Sequence, residues 1–257
     1  MKVGALLGGL LLTVTACGSS NAADDAAGKG SDVSGSLVVF AASSLTESFL
    51  GIGERFEAAN PGATVTFNFS ASSTLAQQIT SGAPADVFAS ASPANMAEVT
   101  EAGESDGDPA VFVRNRLQIV VPAGNPGDVT GLADFADEEL IIALCAEEVP
   151  CGAAAHLVFE AAGITPAPDT LEQDVKATLS KVVLGEVDAA LVYRTDVIAA
   201  GDKVEGIAFP EAGDAINDYP ITVLASAPNP AAARAFVNYV LSETGQQLLA
   251  DAGFAGP

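Results

Sequence analysis

The chain has 257 residues, with 33 acidic and 10 basic side chains and a formal net charge of -23 at pH 7. This balance argues against a nucleic-acid partner, because neutralising phosphates requires clustered lysine and arginine. A single histidine and the lack of tryptophan argue against an imidazole-based metal or acid/base site and against a broad aromatic ligand platform.

The N-terminal region predicts export. Residues 1–16 have a lysine, an apolar run typical of a signal peptide and then small residues, and the run is too short to cross a membrane as a helix. Residues 14–17 read VTAC and resemble the lipobox of bacterial lipoproteins, in which the thiol of Cys17 receives a diacylglycerol. Residues 17–34 lack apolar periodicity, which predicts a flexible tether. We expect an extracytoplasmic protein anchored to the outer face of the cell membrane, with an ordinary signal peptide and a chance cysteine as the alternative.

From residue 35 onward, apolar strand-like segments alternate with amphipathic helices, a pattern that predicts an α/β protein with mainly parallel sheets flanked by helices. Strands are predicted at residues 36–41, 64–69, 86–90, 117–121, 140–144, 188–193 and 220–225. Buried helix faces are predicted at Leu45, Phe49, Ile52 and Phe56, at Val175, Leu179, Val182 and Val183, and at Phe236, Val237, Val240 and Leu241. The length suffices for two lobes, which we place at residues 35–118 with 224–257 and at residues 119–223.

Two of the apolar runs end at serine-rich turns that continue as helices, around Ser44 and Ser72. Such turns present hydroxyls and unpaired helix N–H groups without any full charge. Simple N-capping by the serine is the alternative for either turn alone. Because doubly wound sheets bind ligands at the carboxyl ends of their strands, both turns belong at one edge of lobe one. The sequence therefore predicts a binding site for a small, fully ionised oxyanion. Local dipoles must hold the anion, because the overall electrostatic field of the chain repels it.

The two cysteines of the LCAEEVPCG segment, Cys145 and Cys151, predict a disulfide, because an exported chain meets oxidising conditions. Two free thiols are the alternative, since spacing alone does not fix the geometry. Two thiols and one distant histidine do not make a zinc site, so we expect no metal cation to be bound directly.

Residues with catalytic potential form no convincing site. Gly103, Ser105 and Gly107 fit the G-x-S-x-G pattern of serine hydrolases, and His156 could supply a base. The residues before them lack the strand that a nucleophile elbow requires, so a secreted serine hydrolase is the weakest alternative and we expect no enzyme activity. Asp86 would repel an oxyanion at close range and is predicted to be structural.

Six short motifs occur in order, within a match that runs from about residue 36 to 253: FAASSL, FSASSTLAQQI, GAPADVFAS, VPCG, EQDVKATL and DAALVYRTD. Together they resemble the molybdate-binding proteins of bacterial ABC import systems. The resemblance implies a two-lobed fold like that of type II periplasmic binding proteins, with the ligand in the cleft between the lobes. It also implies that molybdate is bound by Ser44 and Ser72 of lobe one and by Cys151, Val175 and Tyr193 of lobe two. Cys151 and Val175 would act through their backbone N–H groups only.

The same resemblance implies a function. The chain would be a monomeric solute-binding lipoprotein that captures molybdate and tungstate without a cofactor and delivers them to an ABC permease. A binding protein for another small oxyanion, such as sulfate, is the alternative, because proton-free tetrahedral dianions offer the same acceptors. From the sequence alone, Tyr193 could instead be a packing residue with a solvated hydroxyl. The sequence departs from the usual pattern of this family at two positions. Cys151 stands where the family usually has a small residue, and Lys176 stands where it commonly has an arginine. The second change leaves the ion-pairing role of Lys176 open.

Overall fold

The computed structural model describes residues 33–257, in which ten strands form two five-stranded sheets. The predicted signal peptide, Cys17 and the predicted tether up to residue 32 lie outside the described residues. None of the helices in the described range is both long enough and apolar enough to cross a membrane.

Strands and helices alternate over most of the chain as the sequence predicts, but each sheet has two parallel and two antiparallel strand pairs, so the sheets are mixed and not mainly parallel. The strands are β1 (Ser34–Ala42), β2 (Gly62–Ser70), β3 (Val87–Ala89), β4 (Ala110–Asn115), β5 (Leu117–Pro122), β6 (Ile142–Cys145), β7 (Thr170–Glu172), β8 (Ala189–Tyr193), β9 (Val204–Ile207) and β10 (Asn217–Val223). The helices are α1 (Thr46–Ala59), α2 (Ser72–Thr80), α3 (Pro93–Glu101), α4 (Pro150–Ala162), α5 (Val175–Val183), α6 (Arg194–Ala200), α7 (Pro230–Leu241) and α8 (Glu243–Asp251).

The first sheet has the strand order β2-β1-β3-β10-β4 and the second has the order β7-β6-β8-β5-β9. In the first sheet β1 runs parallel to β2 and β3, while β10 runs antiparallel to β3 and β4. In the second, β6 runs parallel to β7 and β8, while β5 runs antiparallel to β8 and β9. Helices α1, α2, α3, α7 and α8 pack around the first sheet, which we call the first half, and α4, α5 and α6 around the second, the second half.

The chain returns to the first sheet earlier than the sequence boundary at residue 224 suggests. β10 covers Asn217–Val223, the end of the range assigned to lobe two, yet it pairs with β3 and β4 of the first sheet. The return therefore lies before Asn217. An apolar run shows the same pattern whichever sheet it joins, so the pattern could not assign this strand.

Each of the seven predicted strands overlaps an observed strand, and the sequence missed β4, β7 and β9. β7 and β9 have only 3 and 4 residues and keep exposed positions, so they give almost no apolar signal. Of the residues placed on buried helix faces, Val237 is only partly buried, and two are exposed, Val183 at 37% and Leu241 at 39%. Both are the last residues of their helices, α5 and α7.

The two halves have different cores. The first is built around aromatic rings in tilted or edge-to-face contact, with Phe49 touching Phe112 and Phe236 at centroid distances of 5.9 and 6.0 Å. The second is mostly aliphatic, with Phe135 and Phe159 as its one aromatic pair in the described residues. Each core fixes its own strands and helix starts, which positions the turns at the carboxyl ends of the strands.

Candidate anion-binding site

A cavity of about 10 Å³ lies where strand ends of both halves meet the starts of helices. Its small size admits only a compact ligand. The residues lining it include all those proposed from the sequence to bind an oxyanion: Ser44, Ser72, Cys151, Val175 and Tyr193. They come from separate turns of both sheets, so the fold brings together positions that are far apart in the chain.

The first-half side of the cavity is made by two neighbouring turns. β1 and β2 are parallel, and Ala42 pairs with Ser70, so the turns that follow them lie side by side. Ser44 is in a 3-10 turn before α1, and Ser72 is the first residue of α2. Neither turn has a side-chain cap, so the capping alternative is wrong for both serines. The first N–H groups of each helix are left without an intrahelical acceptor.

Both serine hydroxyls are buried and already hydrogen-bonded on one side. Ser72 Oγ accepts from the backbone N–H of Ala91 at 2.9 Å. Ser44 Oγ lies 2.8 Å from Tyr219 Oη. A hydroxyl that accepts one bond keeps its own proton to donate. The Ser72 proton is therefore available to a group in the cavity.

On the second-half side, α4 and α5 begin at the cavity. α4 has no side-chain cap, and Pro150 at its first position has no N–H, so Cys151 supplies the first N–H of that helix. A disulfide joins Cys151 to Cys145 at the end of β6, with the sulfurs 2.05 Å apart. A Cβ on Gly152 would lie 1.8 Å from the carbonyl oxygen of Ala146, so only glycine allows this close approach of the loop to the helix.

α5 is capped in a way that leaves one donor free. The Asp174 carboxylate accepts from the N–H groups of Lys176 at 2.8 Å and Ala177 at 3.0 Å. The N–H of Val175, the first helical residue, is not among the groups that this cap binds. Asp174 also lines the cavity, but its Oδ1 is engaged by the helix backbone.

Tyr193 ends β8 and is 1% exposed. Its hydroxyl oxygen is buried and has no hydrogen-bond partner among the described residues. Burial, with smaller contributions from Tyr219 and Asp196, raises the pKa of Tyr193 well above its ordinary value, so the hydroxyl stays protonated. The hydroxyl is therefore not solvated, as the packing alternative expected, although the ring packs in the core of the second half. An unpaired buried hydroxyl is costly, and a ligand that accepts from it removes that cost.

No lysine or arginine is among the residues that line the cavity in the described part of the chain. The nearby Lys176 ammonium is instead held by two carboxylates, at 2.7 Å from Glu47 of α1 and 2.9 Å from Asp196 of α6. It thus joins the two halves. Although burial lowers the pKa of Lys176, these carboxylates raise it overall. Burial raises the pKa of Asp196 to about 6, against the opposing effect of Lys176.

The other residues considered from the sequence lie elsewhere. Asp86 accepts from the backbone N–H groups of Val38 and Asn229, which confirms its structural role. Ser105 hydrogen-bonds Thr222 in the first half, and His156 is an exposed residue of α4 in the second half.

Sequence reasoning missed Tyr219 and Asp196, whose partners lie on distant elements. Asp196 lies in the DAALVYRTD motif, three residues after Tyr193, but its ion pair with Lys176, like the contact of Tyr219 with Ser44, is created only by the folded chain.

Comparisons with known proteins identify the family of this chain. A family model described as bacterial extracellular solute-binding protein matches residues 37–255. The molybdate-binding protein ModA of Mycobacterium tuberculosis is 43% identical over 248 residues, which cover 96% of this chain and 95% of that protein.

Two solved structures share the fold. The periplasmic molybdate-binding protein of Azotobacter vinelandii superposes with a TM-score of 0.74 at 21% identity, covering 86% of this chain and 99% of that one. The sulfate-binding protein SubI of Mycobacterium tuberculosis superposes with a TM-score of 0.75 at 19% identity, covering 86% of each chain. The fold alone therefore does not distinguish between the two anions.

Proposed function

This chain belongs to the bacterial extracellular solute-binding proteins and, within them, to the molybdate-binding proteins, and from that premise we propose that it captures molybdate in the cavity between its two halves. The observation that carries the proposal is the Tyr193 hydroxyl, which is buried at the cavity without a partner among the described residues. A bound oxyanion supplies the acceptor that this hydroxyl lacks.

We propose five donors for the anion: the hydroxyls of Ser44, Ser72 and Tyr193 and the backbone N–H groups of Cys151 and Val175. Such a set suits a tetrahedral dianion without protons, which offers only acceptors. The helix N-termini add positive partial charge at the same place. Charge-assisted hydrogen bonds of about 1.5–3 kcal/mol each support sub-micromolar affinity without a cationic side chain.

Binding closes the protein about the ligand in this proposal. An anion held by Ser44 and Ser72 of the first half recruits the donors of the second half, and the closed state is favoured because only there does the ligand contact both. The ion pair between Lys176 and Glu47 also joins the two halves and supports the closed arrangement. An ABC permease then recognises the closed form and receives the anion.

The finer parts of the proposal concern ligand range and location. Tungstate shares the charge and acceptor pattern of molybdate, and we include it as a ligand. The protein acts as a monomer without a cofactor, tethered outside the cytoplasmic membrane through a lipid on Cys17, with the Cys145–Cys151 disulfide formed after export. Sulfate is the second candidate ligand, and only the size of the closed cavity separates it from the larger anions.

Titration calorimetry of Ser44→Ala and Ser72→Ala with molybdate, tungstate and sulfate tests this function. Each substitution removes one donor to a dianion, so we expect each to weaken molybdate binding about tenfold or more. Ser105→Ala is the matched control, because the Ser105 hydroxyl bonds Gly107 and Thr222 away from the cavity.

Molybdate affinities that stay within about twofold of wild type in both variants contradict the site, because each lost donor should cost more than that. Tighter binding of sulfate than of molybdate favours the second candidate. Labelling of Ser105 by a fluorophosphonate probe contradicts a purely binding role.

A further inference from the structure

Tyr219 of β10 stands directly behind one of the serine donors. It is 0% exposed, and its hydroxyl oxygen lies 2.8 Å from Ser44 Oγ across 175 residues of sequence. Tyr219 is not among the residues that line the cavity. It touches two of the residues that do line the cavity, Ser44 through its hydroxyl and Tyr193 through its ring, and only the contact with Ser44 is a hydrogen bond to a proposed serine donor.

The direction of this hydrogen bond decides what Ser44 offers to the cavity. Either oxygen could be the donor by geometry. Burial raises the pKa of the Tyr219 hydroxyl above its ordinary value, so the phenol keeps its proton. A phenol is also a stronger donor than an aliphatic hydroxyl. When Tyr219 donates, Ser44 Oγ is filled as an acceptor and the Ser44 proton turns toward the cavity.

Ser72, the second serine, is also hydrogen-bonded on its far side, and its bond has only one possible direction. Ser72 Oγ accepts from the backbone N–H of Ala91, a group that can only donate. Ser72 is thereby committed to donating its own proton. The two hydroxyls on the first-half side are thus held alike, one by a backbone amide and the other by Tyr219.

We infer that Tyr219 is a positioning residue that holds the Ser44 hydroxyl as a donor and so favours proton-free oxyanions over oxyanions that carry a proton. The inference rests on the proposed function, because it concerns the same anion site. A protonated oxyanion, such as hydrogen phosphate, must donate one hydrogen bond and needs an acceptor in the site. Without the Tyr219 hydroxyl, Ser44 can turn its proton away and accept that bond.

Tyr219→Phe tests the inference, because it removes the hydroxyl and keeps the ring. Its edge-to-face contact with Tyr193, at a centroid distance of 6.1 Å, needs only the ring. Molybdate, sulfate and inorganic phosphate are titrated at a pH where phosphate is mainly the singly protonated dianion. The Kd for phosphate is measured by competition, at phosphate concentrations high enough to give a Kd for every variant. Tyr239→Phe, at a partly buried tyrosine of α7, is the matched control.

We expect Tyr219→Phe to raise the molybdate Kd about tenfold and to narrow the preference for molybdate over hydrogen phosphate by a similar factor. Tyr239→Phe should change neither. In a Ser44→Ala background Tyr219→Phe should no longer alter the preference, because its effect passes through Ser44. Thermal unfolding without ligand shows whether the variant is folded.

An unchanged preference overturns the inference, even when both affinities fall together, because a merely structural role weakens all anions alike. A preference that narrows equally in the Ser44→Ala background also overturns it. Wild-type protein that binds none of the anions overturns both this inference and the proposed function. Wild-type binding with an unchanged preference in Tyr219→Phe overturns the inference alone.

Discussion

The two halves of the candidate site present their donors in different ways. In the proposed site the first half offers the side-chain hydroxyls of Ser44 and Ser72, whereas the second half offers the backbone N–H groups of Cys151 and Val175 with one hydroxyl, that of Tyr193, and all five residues line the cavity. A side-chain donor depends on the identity of the residue, while a backbone donor depends on where a helix begins. The difference explains how a cysteine can occupy position 151 without loss of the donor.

Val175→Pro is the most direct test of a backbone donor, and we expect it to have the largest effect on molybdate affinity. Proline is well tolerated at the first position of a helix, and Asp174 before it is already extended, so the change removes the N–H with little cost to α5. Loss of one backbone donor to a dianion should weaken molybdate binding about 10- to 100-fold by calorimetry.

Val175→Ala is the control for this change, because it also shortens a buried side chain but keeps the N–H. It should bind molybdate nearly as well as wild type. Equal losses in the alanine and proline variants would show that packing at this position matters and the backbone donor does not.

Tyr193→Phe tests the one side-chain donor of the second half. We expect the affinity for molybdate and the stability of the unliganded protein to change in opposite directions. Removal of the donor should weaken molybdate binding about tenfold. The unliganded protein should become more stable by about 1 kcal/mol in denaturant unfolding, because the buried hydroxyl has no partner among the described residues. Ser72→Ala should instead destabilise the unliganded protein, because it leaves the Ala91 N–H without its acceptor. A less stable unliganded Tyr193→Phe protein contradicts this account of the hydroxyl.

Glu47→Gln should have the smallest effect. It removes the ion pair between Lys176 and the first half, but Glu47 is 54% exposed, and such pairs contribute about 0–1 kcal/mol. Molybdate dissociation measured by stopped flow should accelerate about two- to threefold, and added salt should reduce the difference. Glu186→Gln is the matched control, since Glu186 forms a similarly exposed ion pair with Lys181 within the second half. The same acceleration in both variants would rule out a specific contribution to closure.

Sequence reasoning succeeded where the deciding interactions are local. The turns at Ser44 and Ser72 follow apolar runs, and the rule that parallel strands end at one edge was sufficient to place them together. The family resemblance added Cys151, Val175 and Tyr193, and all of these residues line one cavity.

Sequence reasoning failed where the role of a residue depends on a partner far away in the chain. The contact of Tyr219 with Ser44 spans 175 residues, and no periodic pattern encodes it. The membership of β10 in the first sheet was missed for a related reason, because apolar alternation reports that a strand is buried and not which strands it pairs with. The role of Lys176 could be stated only once Glu47 and Asp196 were seen beside it.

The cavity is lined without a lysine or arginine in the described part of the chain, which has a kinetic consequence in a protein whose formal net charge is -23. The nearby Lys176 is paired with Glu47 and Asp196, so an approaching dianion meets a repulsive potential until it is within reach of the donors. Dissolved ions shorten the range of that repulsion to about 10 Å at 0.1 M. Uptake should therefore quicken in saltier surroundings, while release should change by no more than the roughly two- to threefold expected from screening of the exposed ion pair between Lys176 and Glu47.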